Sequence, residues 1–186
     1  MYEKEKRARK LAYEEMGEIN EKLYKPILEK TYGLLWKTSD KYARCDFQGQ
    51  TYQGELKSRD LSIKEFSTTM IGYNKIEEAF KRIRWNDHIE NFKFYFWFAF
   101  EEGLYAWEVN EENYELNGGD SMKKYAGTDK RGFNEYKDHY YIKIESLVKI
   151  DDTPPYIHPL VKKNNIEYSE KKKSVCWIKL SPNDLL

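Results

Sequence analysis

Three residues in the stretch Cys45-Asp46-Phe47-Gln48-Gly49-Gln50-Thr51-Tyr52-Gln53-Gly54-Glu55-Leu56-Lys57-Ser58-Arg59 have types and spacing suited to chemistry. Asp46, Glu55 and Lys57 bring two carboxylates and an ammonium onto a segment that reads as two β-strands folded back around Gly49. Hard anionic oxygens suit a divalent cation such as Mg2+, which takes one or two protein carboxylates and keeps several waters. Phosphodiester cleavage needs a Lewis acid on the phosphoryl oxygens and an acidified water as nucleophile. Lys57 is placed to hydrogen-bond that water or its hydroxide form. The same side chains would also make an ordinary cross-strand salt-bridge patch, so the surrounding elements must decide between the two.

On the first strand Tyr42, Arg44 and Asp46 face one way, and Ala43, Cys45 and Phe47 the other. On the second, Thr51, Gln53, Glu55, Lys57 and Arg59 share a face. A two-residue turn at Gly49-Gln50, glycine first as type II′ prefers, pairs Asp46 with Gln53. Asp46 then shares the Glu55 face on the diagonal, about 7–8 Å away between Cα atoms. Only an even loop, or an odd one with a bulge, keeps this phase.

Upstream, residues from about Tyr2 to Lys30 read as helix, with Met16, Ile19, Leu23 and Ile27 as an apolar stripe and Gly17 as a break between two segments. Glu14, Glu18 and Glu21 share a neighbouring face, and Tyr32-Gly33 ends the helix. Leu34-Leu35-Trp36 is a short apolar piece before the turn Thr38 to Lys41. Downstream, Leu61 to Ile71 is ambiguous. Asn74-Lys75-Ile76-Glu77 has the pattern of a capping box, and Ile76, Ala79, Phe80 and Ile83 give an amphipathic helix to about Arg84. Phe92 to Phe100 is apolar or aromatic at nearly every position, as expected of a central strand buried on both faces. Leu104 to Val109 returns as its partner. Asn110 to Asp138 reads as a long polar loop, Tyr140 to Ile150 as a strand, and Ser174 to Leu180 as a last strand.

At 186 residues the chain fits one domain, with a core at about 11–150 and a strand-containing C-terminal extension at 151–186. A 34% charged fraction with 16% aromatics describes a folded domain with a charged surface rather than a disordered chain. Lys plus Arg and Asp plus Glu each total 32, so attraction to nucleic acid would need local clusters such as Lys4–Lys10 and Lys171–Lys173. Cys45 and Cys176 lack zinc-site spacing and are expected to be reduced thiols. With no signal-peptide pattern and no membrane-length apolar run, a cytoplasmic location is expected. His88 with Asn91, His139 and His158 lack the context of a catalytic histidine, and no glycine-rich phosphate loop is present.

Asp46 on one strand, Glu55-Leu56-Lys57 on the next, a preceding Glu-bearing helix and a following amphipathic helix resemble the PD-(D/E)xK nucleases, the restriction-endonuclease-like superfamily. The resemblance covers roughly Gly17 to Val109, and Cys45 stands where the motif name places proline. It implies an α/β fold with a central mixed β-sheet flanked by helices, and Mg2+-dependent cleavage of DNA, Mn2+ being a substitute. It further implies a metal held by Asp46, Glu55 and the Leu56 carbonyl, with a glutamate from the first helix. Gly17-Glu18-Ile19-Asn20-Glu21 looks like the family's Gly-x-x-x-Glu variant, which favours Glu21 over Glu18. Arg59 and Lys75 are candidates for phosphate contact, and a homodimer is compatible with the reading. The rivals are a non-catalytic nucleic-acid-binding or assembly module and a structural protein of a larger complex.

Overall fold

The computed structural model describes residues 2–38, 45–128 and 135–162. In chain order the elements are α1 (Tyr2–Tyr32), β1 (Trp36–Lys37), β2 (Phe47–Gln48), β3 (Tyr52–Ser58), β4 (Thr68–Gly72), α2 (Tyr73–Trp85), β5 (Lys93–Phe100), β6 (Gly103–Val109), α3 (Glu111–Asn117), β7 (Lys123–Thr128), β8 (Glu135–Lys143) and β9 (Val148–Asp151). The strand expected at Ser174 to Leu180, Cys176 and the Lys171–Lys173 cluster lie outside the described residues. None of the described helices is long and apolar enough to cross a membrane.

The apolar run predicted as a central strand is β5, the middle of a six-stranded sheet ordered β1-β2-β3-β5-β6-β9. It pairs parallel with β3 and antiparallel with β6, so the sheet is mixed. Side chains alternate across a strand. Tyr95, Trp97 and Ala99 therefore join Phe47, Leu56, Leu104 and Ala106 on one face, under Tyr24 and Leu28 of α1. Phe94, Phe96, Phe98 and Phe100 enter the other face with Ile76 and Ala79 of α2. Two cores, one on each face, are the reason this strand needs an apolar residue at every position.

α1 runs without interruption through Gly17 and carries Pro26 inside it, so the expected break is absent. Beyond its chain neighbours and the helix's own backbone, no atom lies within 4 Å of where a Gly17 side chain would begin. The glycine answers no close contact, and the helix continues through it. The deepest row on α1 is Ala12, Met16, Asn20, Tyr24 and Leu28, one turn apart each time, with Ile19, Leu23 and Ile27 flanking it. Asn20 tolerates burial because Tyr156 satisfies it. Its amide donates to the Tyr156 carbonyl at 2.8 Å, and its Oδ1 accepts the Tyr156 N–H at 2.7 Å.

The segment read as a long polar loop is instead α3, a 3-10 turn and a hairpin. Asn110 caps α3 by accepting the Asn113 N–H at 2.7 Å, and Gly118 ends it at φ 115°, where glycine alone is unstrained. β7 and β8 pair with β4 in a second sheet ordered β4-β8-β7, whose Ile71, Tyr140 and Ile142 close the α2-side core. The strand expected over Tyr140–Ile150 is divided by a 3-10 turn at Ile144–Ser146. β8 belongs to the small sheet and β9 to the large one.

Candidate active site

The hairpin that carries the three polar residues is closed by the Gly49 N–H donating to the Tyr52 carbonyl at 2.7 Å. Phe47 lies opposite Gly54 and Gln48 opposite Gln53. The turn is therefore Gln50-Thr51 rather than Gly49-Gln50, and the register sits two residues from the expected one. Packing explains the choice. A side chain begun at Gly54 would meet the Trp97 ring and the Tyr95 carbonyl at 2.5 Å. Phe47 meets the Trp97 ring edge-on, 6.0 Å between centroids. A glycine has to lie under Trp97, and that aligns the strands. A shift of two preserves the facing of side chains.

At Asp46 the strand departs from regular pairing. Phe47 opposes Gly54, yet the Asp46 N–H also reaches the Gly54 carbonyl at 2.9 Å. Two successive residues addressing one partner make a β-bulge. Its effect is visible on either side. Cys45 enters the α2-side core while Phe47 enters the α1-side core, whereas regular alternation places them together. The Asp46 carboxylate turns to the strand edge, where Oδ2 accepts the Leu56 N–H at 2.7 Å. A strand residue sends its N–H and C=O to the same edge, so the Leu56 carbonyl faces the Asp46 side as well.

Glu55 is buried on the α2 side, with the Lys57 ammonium at Oε1 and the Lys75 Nζ 2.9 Å from Oε2. The Lys75 contact is an ion pair by distance without hydrogen-bond alignment at Oε2. Burial pushes the Glu55 carboxyl up, but the two ammoniums together outweigh it and hold the group below the usual carboxylate range. Lys75 reaches it from the first turn of α2. That helix starts at Tyr73, directly after β4, with Gly72 at its N-cap and no side-chain cap. The expected Asn74–Glu77 capping box does not form, because Gly72 still pairs with His139 in the sheet and Asn74 already lies inside the helix. A capping box forms instead at Ser62 and Glu65.

Glu21 approaches from α1, and its Oε2 lies 2.7 Å from the Lys37 Nζ on β1. Hydrogen bonding to Glu21 pushes the Lys37 ammonium up, and Glu18 acts on it only at longer range. The Asp46 carboxyl is pushed up to about 6, chiefly by burial, with the Glu55 and Glu21 charges adding to the rise; Lys57 and the Leu56 N–H oppose it. Asp46 therefore feels Glu55, Lys57 and Glu21 at once. Arg59 turns toward the second sheet. Its guanidinium donates to the Met70 carbonyl and lies over the Phe98 ring, 5.8 Å from the centroid. Burial lowers it to about 10. It ties β3 to β4 and so joins the two sheets.

Lys37 is a site residue that sequence reasoning misses, because β1 is two residues long and offers no pattern. Also missed is the support beside Glu55, where Arg82 donates to Gln53 Oε1 at 2.6 Å and to Glu78 Oε1 at 3.2 Å. The four-residue spacing of Glu78 and Arg82 signals their pair; nothing local signals Gln53.

Asp46, Glu55 and Glu21 form an all-oxygen, anionic donor set of the kind that suits Mg2+. The raised Asp46 is an anion its surroundings disfavour, and a cation would relieve it. Among the described residues, however, no three His, Cys, Asp or Glu side chains converge into a group that could hold a metal ion. Lysines pair with two of these carboxylates, Lys37 with Glu21 and Lys57 and Lys75 with Glu55.

No family model matches the chain, and no curated protein matches its sequence.

Proposed function

We propose that the protein is a Mg2+-dependent nuclease with a restriction-endonuclease-like core that hydrolyses phosphodiester bonds in DNA. One observation carries the reading. Asp46, at a bulge just before β2, accepts the N–H of Leu56, which lies between Glu55 and Lys57 on adjacent β3, and the charge of Glu21 on the first helix also reaches it. The order of elements supports it: a helix, the hairpin, then α2 on the opposite face leading into β5 parallel to β3.

In this reading Asp46, Glu55, Glu21 and the Leu56 carbonyl would hold Mg2+, or Mn2+ in its place, which would supply a Lewis acid and an acidified water. Lys57 would orient the attacking water by hydrogen bonding. The Leu56 N–H fixes the rotamer of Asp46, and burial beneath α2 fixes Glu55. Lys75 takes a substrate phosphate. Arg59, already engaged with Met70, contributes by holding β3 in place. The absence of a three-ligand cluster among the described residues favours a second reading, a non-catalytic nucleic-acid-binding or assembly module on the same fold.

Incubation with supercoiled plasmid and Mg2+ or Mn2+ separates the two. The nuclease nicks or linearises the plasmid, and Asp46→Ala and Lys57→Ala variants of unchanged circular dichroism do not. Equal cleavage by all three proteins refutes the assigned site. No cleavage by any, together with salt-sensitive DNA binding, establishes the binding module.

A further inference from the structure

A cleft of about 390 Å3 opens to solvent between α2 and α3, at the lower end of the roughly 300–1,000 Å3 typical of ligand sites. None of its lining residues belongs to the candidate active site. The two helices contribute in the same way. Tyr73, Glu77 and Phe80 lie on one face of α2, and Glu111, Tyr114 and Glu115 on one face of α3, each set at three- and four-residue spacing. The walls are therefore aromatic and the polar groups anionic. Gly118 and Gly119, at φ 115° and 53°, turn the chain beyond α3 and bring a fourth carboxylate, Asp120, to the cleft. The Tyr114 hydroxyl donates to Asp120 Oδ1 at 2.8 Å, and the Tyr73 hydroxyl lies 3.5 Å from the same oxygen. Tyr114 in turn stacks on buried Tyr140, 5.0 Å between centroids, so the core holds both the wall and the carboxylate in place.

The negative charge of the cleft has no counterpart nearby. None of the ion pairs among the described residues includes Glu77, Glu111, Glu115 or Asp120. Lys123 stands at the edge with its Nζ 4.0 Å from the centre of the Tyr73 ring, but its ion-pair partner is Asp138, 3.1 Å away. Phe80 and Tyr114, packed edge to face, carry no cation among the described residues.

We propose that this cleft is a docking site for an arginine side chain of a partner protein, with the guanidinium among the four carboxylates and the alkyl stem against Phe80 and Tyr114. The inference stands apart from the nuclease reading. Charge selects the occupant first, since four carboxylates repel phosphate and draw in a cation. The aromatic walls select further. They offer no oxygen to replace the water of a small inorganic cation, and no group able to hold a metal ion occurs among the described residues. A guanidinium is weakly hydrated, stacks on aromatic rings and spreads five donors over several acceptors, whereas an ammonium is a compact, strongly hydrated point charge. The opening to solvent lets a side chain enter while the main chain of the partner stays outside.

The test is an NMR titration of the isotope-labelled full chain with acetyl-arginine amide, its uncharged isostere acetyl-citrulline amide, acetyl-lysine amide and spermine. The arginine probe should shift the amides of 73–80 and 111–120 saturably, and bind at least about fivefold tighter than the citrulline probe. A Glu77→Gln/Glu115→Gln double variant should weaken it by roughly threefold or more, and Phe80→Leu by roughly two- to fivefold. Glu112→Gln, exposed on α3 outside the cleft, should leave it unchanged. Glu77 and Glu115 are exposed, so the double variant decides the question even where Phe80→Leu does not fold. Equal binding of the arginine and citrulline probes, undiminished binding by the double variant, or shifts confined to other surfaces overturns the site. Tighter binding of the lysine probe or of spermine than of the arginine probe overturns arginine as its occupant.

Discussion

Asp46→Asn should stabilise the protein at neutral pH. The Asp46 carboxyl is pushed from 3.8 to about 6, first by burial and then by Glu55 and Glu21. That rise corresponds to about 3 kcal/mol by which the ionised form is disfavoured in the folded state. The folded protein holds this proton more firmly than the unfolded chain, so stability falls as pH rises through the window from about 4 to 6. Above that window the full cost is present; below 3.8 it vanishes. Asparagine keeps an oxygen for the Leu56 N–H, and the charge assistance that a neutral acceptor forgoes is already contained in that net rise. The variant should thus gain up to about 3 kcal/mol at pH 7.5, and that advantage should shrink toward zero near pH 4. Urea denaturation of both proteins at the two pH values measures the difference directly. A variant less stable than wild type at pH 7.5, or a difference independent of pH, refutes the description of Asp46 as an anion held against its surroundings. Stability gained by removing a charge from a site is what a strained functional residue shows.

Glu55→Gln should have the opposite sign, costing roughly 1–3 kcal/mol, because the Lys57 and Lys75 ammoniums lose a buried counter-charge and are themselves only partly solvated; thermal unfolding reads this, and under the nuclease reading plasmid cleavage is lost as well. Gly54→Ala should cost at least about 2 kcal/mol and lower expression, since its methyl would sit 2.5 Å from the Trp97 ring and the Tyr95 carbonyl. A soluble variant of near-wild-type melting temperature would show that the Trp97 contact does not set the hairpin register.

What was legible in the sequence is what depends on near neighbours. The amphipathic stripe of α2 and the two-faced apolar character of β5 are local patterns, and both place their elements well. The parity of the hairpin survived although its turn did not, because side-chain facing depends only on whether the shift is even. The register itself answers to Trp97, more than forty residues downstream, which no turn preference encodes. The bulge at Asp46 is a backbone event, set by which N–H finds the Gly54 carbonyl, and it leaves no compositional mark. β7 and the first half of β8 resemble loop in the sequence because Lys123, Lys124, Tyr125, Lys137 and Asp138 line their exposed stretches. Strands with a solvated face imitate loops in composition. The burial of Asn20 has no local signal either, its partner being 136 positions away.

That last separation bears on how the molecule is made. Synthesis runs from the N-terminus, and α1 leaves the ribosome ahead of the other described elements. Tyr24 gives its hydroxyl to the Thr153 carbonyl and Asn20 clasps Tyr156, so these anchors of the first helix form only after the chain has passed residue 156. Contacts between such distant positions form slowly, since the loop between them must be closed before the bond returns any stability. Glu21 adjoins Asn20. The helix that presents it is fastened by some of the latest-arriving residues described, and a nascent chain halted before Thr153 would carry the candidate site with one wall still unsecured.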